Sequence, residues 1–261
     1  MILGIDVGNY YTKTSERISF ISKVSKSITN SCELANNNDF DMEFRKAYKE
    51  NYLYLLELAI NRSSSTKCIK LVTGLPIIQY KEDKEYLINK IISSKLVEDV
   101  EVVPEGVLCM NEEGIIVDIG GRTTDIALIL NEGGTRAIKN PYSMPLGMLN
   151  VENSFINDIN SMYGLNLTAE DNDRILKEGL FIYGKEKEVN YNAYKEYVDK
   201  VFNLLQLNYP LKTHKVFLSG GGSKRLFRPF QNRIPQVDII RDSFFANAYA
   251  YYNYGRSLWN V

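Results

Sequence analysis

Two glycine-centred segments constrain the fold of this chain more than any other feature of its sequence. They span Ile2–Lys13 and Ile115–Leu128. Each begins with an apolar stretch that ends in Asp-x-Gly, and each continues after a turn with hydroxyl-bearing residues. This pattern predicts a strand–turn–strand hairpin in both places. A third glycine run, Gly220–Gly222, directly follows the apolar stretch Val216–Ser219, so the sequence predicts a duplicated element with a third part added.

The two turns have the residues that a polyphosphate site requires. Glycine turns between strands aim several backbone N–H groups at one point, which creates an anion site. Gly8, Gly120 and Gly121 can take positive φ and have no side chain to block the close approach of a phosphate. For Arg122, contact with a phosphate and simple solvation are equally open. The residues of the two hairpins predicted to bind the nucleotide, besides Asp6, are Gly8, Asn9, Tyr10, Thr12, Lys13, Gly120, Gly121, Arg122, Thr123 and Thr124.

Asp6 and Asp118 stand immediately before the two turns and are the predicted metal ligands. Mg²⁺ usually keeps several waters and takes few protein carboxylates, so one aspartate from each hairpin is sufficient. The alternative is a pair of ordinary hairpins with solvated carboxylates. The repeat of the motif and the third glycine run favour the phosphate site over that alternative. The chain lacks both the Gly-x-x-x-x-Gly-Lys-Ser/Thr and the Gly-x-Gly-x-x-Gly patterns of other nucleotide sites.

The order of these motifs resembles that of the actin-like ATPase superfamily. An Asp-x-Gly hairpin is followed by Asp-x-Gly-Gly-x-Thr-Thr-Asp and then by Gly-Gly-Gly. Shorter motifs are similar to those of the bacterial plasmid-segregation actins, ParM and its relatives such as AlfA. These shorter motifs are Thr73–Pro76 (Thr-Gly-Leu-Pro), Val103–Gly106 (Val-Pro-Glu-Gly), Pro145–Asn150 (Pro-Leu-Gly-Met-Leu-Asn) and Phe245–Ala248 (Phe-Ala-Asn-Ala).

The resemblance implies an α/β chain with the actin-like two-domain fold, in which duplicated ribonuclease-H-like sheets carry flanking helices. Domain I would comprise residues 1–113 and 244–261, and domain II residues 114–243. The segment between Asn150 and His214 is short for the helices that the fold requires there together with a full outer subdomain. We therefore expect the outer subdomain of domain II to be reduced or absent, as in AlfA-like proteins. One wall of the nucleotide pocket would then be incomplete, and a neighbouring protomer would complete it.

The resemblance also assigns catalytic and nucleoside-binding roles. Glu105 would orient or deprotonate the attacking water, whereas its alternative role is an acid that only complements a helix dipole. Asp118 would hold Mg²⁺ or one of its waters. The adenosine would lie against Gly220–Gly222, with Asp173 and Lys177 near the ribose. For these two charged residues, a solvated helix face is an equally good interpretation.

Composition bounds the partners and the compartment. The 261 residues have a formal net charge of −1, so neither direct nucleic-acid binding nor attraction to anionic membranes is expected. The three cysteines lack metal-ligand spacing, which is typical of a reducing cytosol. With no predicted membrane span, we expect a cytoplasmic bacterial protein. His214 is the only histidine and is expected to have no catalytic role.

These inferences lead to a functional hypothesis. The resemblance implies an ATPase that binds ATP and Mg²⁺ between two domains, polymerises, and hydrolyses ATP in the filament. Its cargo would be plasmid DNA, reached through a small DNA-binding adaptor. The alternative is a small-molecule kinase of the same superfamily, although the short outer regions leave little material for a substrate cleft. A chaperone or membrane-tethered scaffold fits less well, because the chain offers neither a peptide-binding domain nor a convincing terminal anchor.

Periodicity predicts an alternation of strands and helices. The predicted strands are Ile2–Val7, Tyr11–Ser15, Ile18–Val24, Lys70–Thr73, Val100–Val103 and Val216–Ser219. The predicted helices are Phe44–Ile60, Lys81–Lys95, Met148–Tyr163, a helix capped by Thr168 that ends near Glu178, Tyr191–Leu207 and Phe244–Leu258. The polar, asparagine-rich stretch Ser31–Asp41 is predicted to be a loop.

Overall fold

Two five-stranded sheets with the same connectivity form the centre of the molecule. The computed structural model describes residues 1–25, 38–41, 43–64, 69–110 and 112–260. The strands are β1 (Ile2–Val7), β2 (Tyr11–Thr14), β3 (Ser19–Ile21), β4 (Lys23–Ser25), β5 (Asn38–Phe40), β6 (Lys70–Leu75), β7 (Asp99–Pro104), β8 (Gly114–Ile119), β9 (Thr124–Glu132), β10 (Thr135–Met144), β11 (Leu180–Ile182), β12 (Lys185–Lys187), β13 (Val216–Ser219) and β14 (Val237–Ile239).

Helices cover these sheets. The helices are α1 (Tyr52–Ser63), α2 (Ile77–Ser93), α3 (Met148–Tyr163), α4 (Asn172–Glu178), α5 (Asn192–Asn208), α6 (Ser223–Arg233) and α7 (Ala246–Leu258). Short 3-10 turns occur at Lys46–Tyr48, Val107–Cys109 and Ala169–Asp171. No helix within the described ranges is both long and apolar enough to cross a lipid bilayer.

The two sheets repeat one topology. The first has the order β3-β2-β1-β6-β7 and the second β10-β9-β8-β13-β14. In each sheet three antiparallel strands are followed by two strands that are parallel to the innermost of the three. Parallel neighbours require crossover connections, and here these connections contain the helices that cover the sheets. The predicted α/β fold with duplicated sheets is therefore confirmed.

Burial follows from this layering. All six residues of β1 and all six of β8 are buried, as expected for central strands covered on both faces. The apolar side chains of α1 and α2 pack on one face of the first sheet, and α7 packs along β1 and β6. The second sheet forms its largest apolar cluster with α3, α5 and α6. The hairpin turns at the ends of β1 and β8 are thus held by two separate cores.

The outer part of the second half is small. Between α3 and β13 the chain forms a 3-10 turn, α4, the two-stranded β11–β12 hairpin and α5. The Thr168 backbone N–H donates to Asp171 Oδ2 at 3.0 Å, which confirms the predicted capping box, although this box begins the 3-10 turn that precedes α4. These short elements and α5 are all that the chain forms between α3 and β13.

Several predicted boundaries were wrong for identifiable reasons. The single strand expected at Ile18–Val24 is divided at Ser22, whose backbone N–H turns inward to donate to Tyr10 O at 2.8 Å. The helix expected at Phe44–Ile60 is a 3-10 turn followed by α1. Of the predicted loop Ser31–Asp41, residues 31–37 lie outside the described ranges, but residues 38–40 form β5, which pairs with β4.

Other elements were not predicted at all, and they share weak or short periodicity. The strands β11 and β12 have only three residues each, and β14 is equally short. Helix α6 was not predicted because it contains Pro229, and proline usually ends helices. The helix expected at Lys81–Lys95 begins earlier, at Ile77, because Pro76 occupies its N-cap position.

Candidate functional site

A cleft lies where the turn of the β1–β2 hairpin faces the turn of the β8–β9 hairpin. It encloses about 1020 Å³ of space that is continuous with solvent. The predicted residues that line it are Asp6, Gly8, Asn9, Tyr10, Lys13, Glu105, Asp118, Gly120, Gly121, Thr123, Asp173, Gly220, Gly221 and Gly222. The structure therefore brings together residues from both hairpins and from the third glycine run.

The first hairpin contributes a buried ion pair. Asp6 and Lys13 are directly opposite each other on β1 and β2, and Lys13 Nζ lies 2.9 Å from Asp6 Oδ2. Burial alone would raise the pKa of Asp6, but Lys13 and Lys46 together outweigh it and hold that pKa below its ordinary value. This side of the cleft therefore presents a fixed carboxylate beside a lysine ammonium.

Glu105 lies at the floor of the cleft, just after β7. Its carboxylate pairs with the ammonium of Lys46, which also lies 3.4 Å from Asp6 Oδ1. Burial raises the pKa of Glu105, and the neighbouring carboxylates Asp6 and Asp118 add to that effect while Lys46 opposes it. A carboxylate with a raised pKa is a better proton acceptor near neutral pH than an ordinary glutamate.

The second hairpin presents Asp118, which Asn247 holds in place. Asn247 Nδ2 donates to Asp118 Oδ2 at 2.9 Å, while its Oδ1 accepts the backbone N–H of Gly106 at 2.9 Å. One side chain at the start of α7 thus ties the Glu105–Gly106 turn to the metal ligand predicted on β8. Burial raises the pKa of Asp118, and the Asn247 hydrogen bond opposes that rise.

Asp125 adds a further buried carboxyl directly opposite Asp118 on β9. Thr123 Oγ1 donates to Asp125 Oδ2 at 3.2 Å, and the Ser143 hydroxyl donates to its other oxygen. Burial, followed by repulsion from Glu105, raises the pKa of Asp125 to about 8. Burial thus favours the protonated form of this carboxyl.

The far end of the cleft carries an arginine bound by two carboxylates. Arg225, near the start of α6, pairs with Glu152 on α3 and with Asp173 on α4. The third glycine run lies beside it, and Gly220 has a φ of +81°, which favours glycine. A Cβ at Gly220 would lie 2.4 Å from Asp118 Oδ1. Only glycine therefore allows this turn to approach the second hairpin.

Aromatic rings form the adjoining wall of the cleft. The rings of Tyr10 and Tyr11 are 4.9 Å apart between centroids, and Tyr11 makes an edge contact with Phe244 at 5.3 Å. Lys13 Nζ is 5.2 Å from the centroid of Phe244. An aromatic surface thus adjoins the charged end of the cleft, which is the combination that a nucleotide with a base and a phosphate chain requires.

The sequence and structural comparisons identify the fold. The family described as archaeal actin homologue MreB-like, C-terminal, matches residues 116–232. The structure of an archaeal actin homologue is similar to this chain at 18% identity with a TM-score of 0.79, covering 98% of this chain and 99% of that one. The fold is that of the actin-like superfamily. The predicted resemblance to the actin-like superfamily is thereby confirmed at the level of the fold.

Two other structures with the actin-like fold are similar over the same extent. A ParM protein in a 15-stranded filament from Clostridium botulinum matches with a TM-score of 0.76 at 19% identity, covering 98% of this chain and 99% of that one. MreB5 of Spiroplasma citri, bound to ADP, matches with a TM-score of 0.74 at 15% identity, covering 100% of this chain and 98% of that one. No curated protein matches the chain by sequence.

The glycines at the two actin-like turns allow a close contact between the hairpins. Gly8, Gly120 and Gly121 can take positive φ, but none of them does so here. Their lack of a side chain matters because the two hairpin turns approach each other closely. A Cβ at Gly121 would lie 2.6 Å from Cβ of Tyr10, across the gap between the two hairpins. The lack of a side chain therefore lets the two turns meet.

Four predicted residues do not line the cleft. Thr12 Oγ1 lies 2.9 Å from Ser22 Oγ, and Thr124 Oγ1 donates to Leu146 O at 2.7 Å. Arg122 Nη1 donates to Asp41 O at 3.4 Å, and Lys177 is exposed on α4. Successive strand residues face opposite sides, so Thr12 and Thr124, each adjacent to a cleft residue, point away from it.

Eleven residues that line the cleft were missed: Tyr11, Lys46, Asp125, Met148, Glu152, Ala169, Glu170, Asn172, Arg225, Phe244 and Asn247. Glu152 and Asn247 are among those that had a signal in the sequence. Glu152 is four residues after Met148 on the apolar face of α3, where an acid is unusual, and Asn247 belongs to a motif already noted for the resemblance. Arg225 follows the glycine run, but nothing in the sequence marked Lys46.

The carboxylates in the cleft fit Mg²⁺ only together with a phosphate ligand. Among the described residues, no group of three or more His, Cys, Asp or Glu side chains forms a cage for a metal ion. Asp6 and Asp118 remain as one carboxylate from each hairpin. Mg²⁺ bound to nucleotides typically takes one or two carboxylates and completes its shell with water and phosphate oxygens. The two aspartates suit that arrangement.

Proposed function

We propose that this protein is an ATPase that binds ATP with Mg²⁺ in the cleft, polymerises into filaments, and hydrolyses ATP to drive plasmid DNA segregation through a small DNA-binding adaptor. One observation carries the nucleotide part. Both hairpin turns converge on a single cleft that holds Lys13, Asp6, Asp118 and Glu105 together. Phosphoryl transfer needs mainly positioning and charge stabilisation, and these side chains provide the required groups.

Each residue has a proposed part in hydrolysis. Lys13 would bind the phosphates with its ammonium group, and the N–H groups of the two turns would donate to phosphate oxygens. Asp6 and Asp118 would hold Mg²⁺ directly or through its waters. The bound metal would neutralise charge that develops on the phosphates. Glu105 would orient the attacking water and accept its proton, which its buried position and raised pKa favour.

The nucleoside would occupy the other end of the cleft. We propose that the base lies beside Gly220–Gly222 and the aromatic wall, and that Asp173 faces the ribose. Asp173 is available for this because it is an exposed member of its ion pair with Arg225. The ADP complexes of an archaeal actin homologue and of MreB5 from Spiroplasma citri support nucleotide binding in this fold.

The assembly and segregation parts rest on structural relatives. Similar structures include a ParM filament and an Alp12 filament, which supports self-association of this chain. The net charge of −1 argues against direct contact with DNA, so an adaptor would link a filament to a plasmid centromere. We also propose that residues 1–113 with 244–261 form one domain and residues 114–243 the other, in a cytoplasmic bacterial protein.

Light scattering of the purified protein tests this proposal. Adding Mg-ATP is expected to cause a rapid rise in scattering that decays as phosphate is released, whereas Mg-ADP, or ATP with EDTA, gives no lasting rise. With Mg-ATP, the Glu105→Gln variant is expected to give a rise in scattering that does not decay, because the variant binds ATP without hydrolysing it. Wild-type protein that binds ATP without scattering or phosphate release would contradict the proposal. ATP turnover that depends on an added small-molecule acceptor would identify a kinase instead.

A further inference from the structure

The ion pair at the floor of the cleft depends on one lysine that no motif accounts for. Lys46 lies on the 3-10 turn Lys46–Tyr48, and only 3% of its side chain is exposed. Its ammonium contacts the carboxylate of Glu105 and lies 3.4 Å from Asp6 Oδ1. The proposed proton acceptor is therefore held by a cation that comes from a separate part of the chain.

The turn that carries Lys46 is itself anchored to helix α2. The Lys46 backbone N–H donates to Gln79 Oε1 at 2.9 Å, and Gln79 Nε2 donates to Phe44 O at 3.1 Å. Arg45 grips both carboxylate oxygens of the fully buried Asp83, with its Nε 3.1 Å from Oδ2. Bidentate arginine–carboxylate contacts fix direction as well as distance, so the backbone beneath Lys46 has a defined position.

A fixed cation constrains the carboxylate that pairs with it. Glutamate has several rotatable bonds, and a carboxylate that must meet one water loses rate when its direction is poorly defined. Glu105 follows β7, where its backbone N–H donates to Leu75 O at 2.9 Å, so its main chain is fixed as well. With both ends restrained, the side chain points in one direction.

We propose that Lys46 is a positioning residue that acts through Glu105, aiming its carboxylate at the attacking water, and that Gln79 and Asp83 hold Lys46 in place for this purpose. The inference rests on the proposed ATPase function. If Lys46 has this role, the start of α2 influences the rate of hydrolysis through Lys46 and Glu105, although it contributes no catalytic group itself.

The test is a double-mutant cycle on steady-state ATP turnover of the full chain. Lys46→Met is expected to lower kcat by about tenfold or more while KM for Mg-ATP changes by less than about threefold. Glu105→Gln is expected to lower kcat by about 100-fold. In the Glu105→Gln background, adding Lys46→Met should cause no further loss, because the side chain through which it acts is already disabled. Lys46→Arg, which keeps the charge, should recover part of the loss.

A matched control comes from a second lysine–glutamate pair. Lys84 Nζ lies 2.6 Å from Glu101 Oε1 on α2 and β7, outside the cleft. Lys84→Met is expected to leave kcat and KM unchanged. If Lys46→Met folds poorly by circular dichroism, Asp83→Asn offers a second route. It keeps the shape of the anchor but weakens its charge, and kcat should fall about threefold or more with KM little changed.

The outcomes separate this inference from the proposed function. Wild-type protein that turns over ATP, with losses from Lys46→Met and Glu105→Gln that multiply in the double variant, would overturn the positioning role. A large rise in KM for Lys46→Met would show that the ammonium binds phosphate directly, and this would also overturn it. Wild-type protein with no ATP turnover would overturn the proposed function, and the positioning role with it.

Discussion

The two hairpins that face each other across the cleft share one backbone but differ in charge. In the first, Asp6 is opposite Lys13, and in the second, Asp118 is opposite Asp125. A lysine at the first position produces an ion pair, whereas an aspartate at the equivalent position produces two neighbouring acids. The pKa of Asp6 is accordingly lowered, while burial raises the pKa of Asp118 and of Asp125.

This difference in charge shows how two copies of one structural element can suit different ligands. The first hairpin is balanced without any ligand, because its carboxylate already has a cation. The second hairpin has an excess of acid, which is relieved either by a proton on Asp125 or by a cation supplied from outside. The lysine of the first hairpin thus suits a phosphate, and the excess of acid in the second hairpin favours the metal that Asp6 and Asp118 would share.

The largest effect is expected at the ion pair of the first hairpin. Asp6→Asn should lower the free energy of unfolding by about 3–5 kcal/mol, because removing one partner leaves a buried lysine uncompensated. Since the pKa of Asp6 is lowered on folding, the wild type loses this contribution as the pH falls below about 4. The variant's deficit should therefore shrink in acid.

Urea unfolding of nucleotide-free protein at neutral and acid pH provides the measurement. Asp242→Asn is the matched control, because Asp242 pairs with Arg17 at 2.9 Å on the surface, where both side chains are largely exposed. Its effect should stay within about 1 kcal/mol. A deficit for Asp6→Asn no larger than that of the control would show that the buried pair contributes no stability.

The second-largest effect concerns phosphate binding by the first hairpin. Lys13→Gln should weaken ATP binding by about 100-fold, since a charge-assisted contact contributes about 1.5–3 kcal/mol and the second hairpin has no lysine to replace it. Isothermal titration calorimetry with Mg-ATP checks this. Lys177→Met serves as the control, because Lys177 lies outside the cleft, and it should change affinity by less than about twofold. Equal losses in both variants would contradict the division of roles.

Local motifs made the hairpins and the third glycine run predictable, because their signals lie within a few consecutive residues. Lys46 and Arg225 could not be predicted, and Asn247 was noted only as part of the motif Phe245–Ala248. Lys46, Arg225 and Asn247 come from a turn and two helices whose approach to the cleft is decided by packing. The errors at Thr12 and Thr124 were of another kind. Strand alternation alone placed them on the faces away from Lys13 and Asp125.

The third prediction concerns Asp125, for which the stability changes with pH in the opposite direction to that for Asp6. Because burial raises the pKa of Asp125 to about 8, this carboxyl binds its proton more tightly in the folded state. The stability of the nucleotide-free wild type should therefore fall as the pH rises from about 4 to about 8. Asp125→Asn removes the titration, so at pH 8 the variant should be more stable by about 1–2 kcal/mol.

Thermal unfolding of both proteins in EDTA across this pH range makes the comparison. The two proteins should be closest in stability near pH 4, where Asp125 is protonated in the folded state and substantially so in the unfolded state, and should diverge steadily up to about pH 8. Mg-ATP is expected to reduce the divergence for the wild type, because a cation beside Asp118 compensates the ionised carboxyl. An Asp125→Asn variant that is less stable at every pH would show that the hydrogen bonds from Thr123 and Ser143 outweigh the burial of charge.

The smallest effect is expected at the tip of the second hairpin. Asn9, in the first turn, lines the cleft, whereas the Arg122 guanidinium points outward to Asp41 O at the long distance of 3.4 Å. Such a contact contributes little. Arg122→Gln should therefore change ATP affinity by less than about twofold by calorimetry, which falls within the range of surface substitutions. A tenfold loss would instead mean that Arg122 leaves Asp41 and turns to the phosphates when nucleotide binds. The second hairpin would then contribute a cation of its own, and the division between the two turns would hold only for the empty cleft.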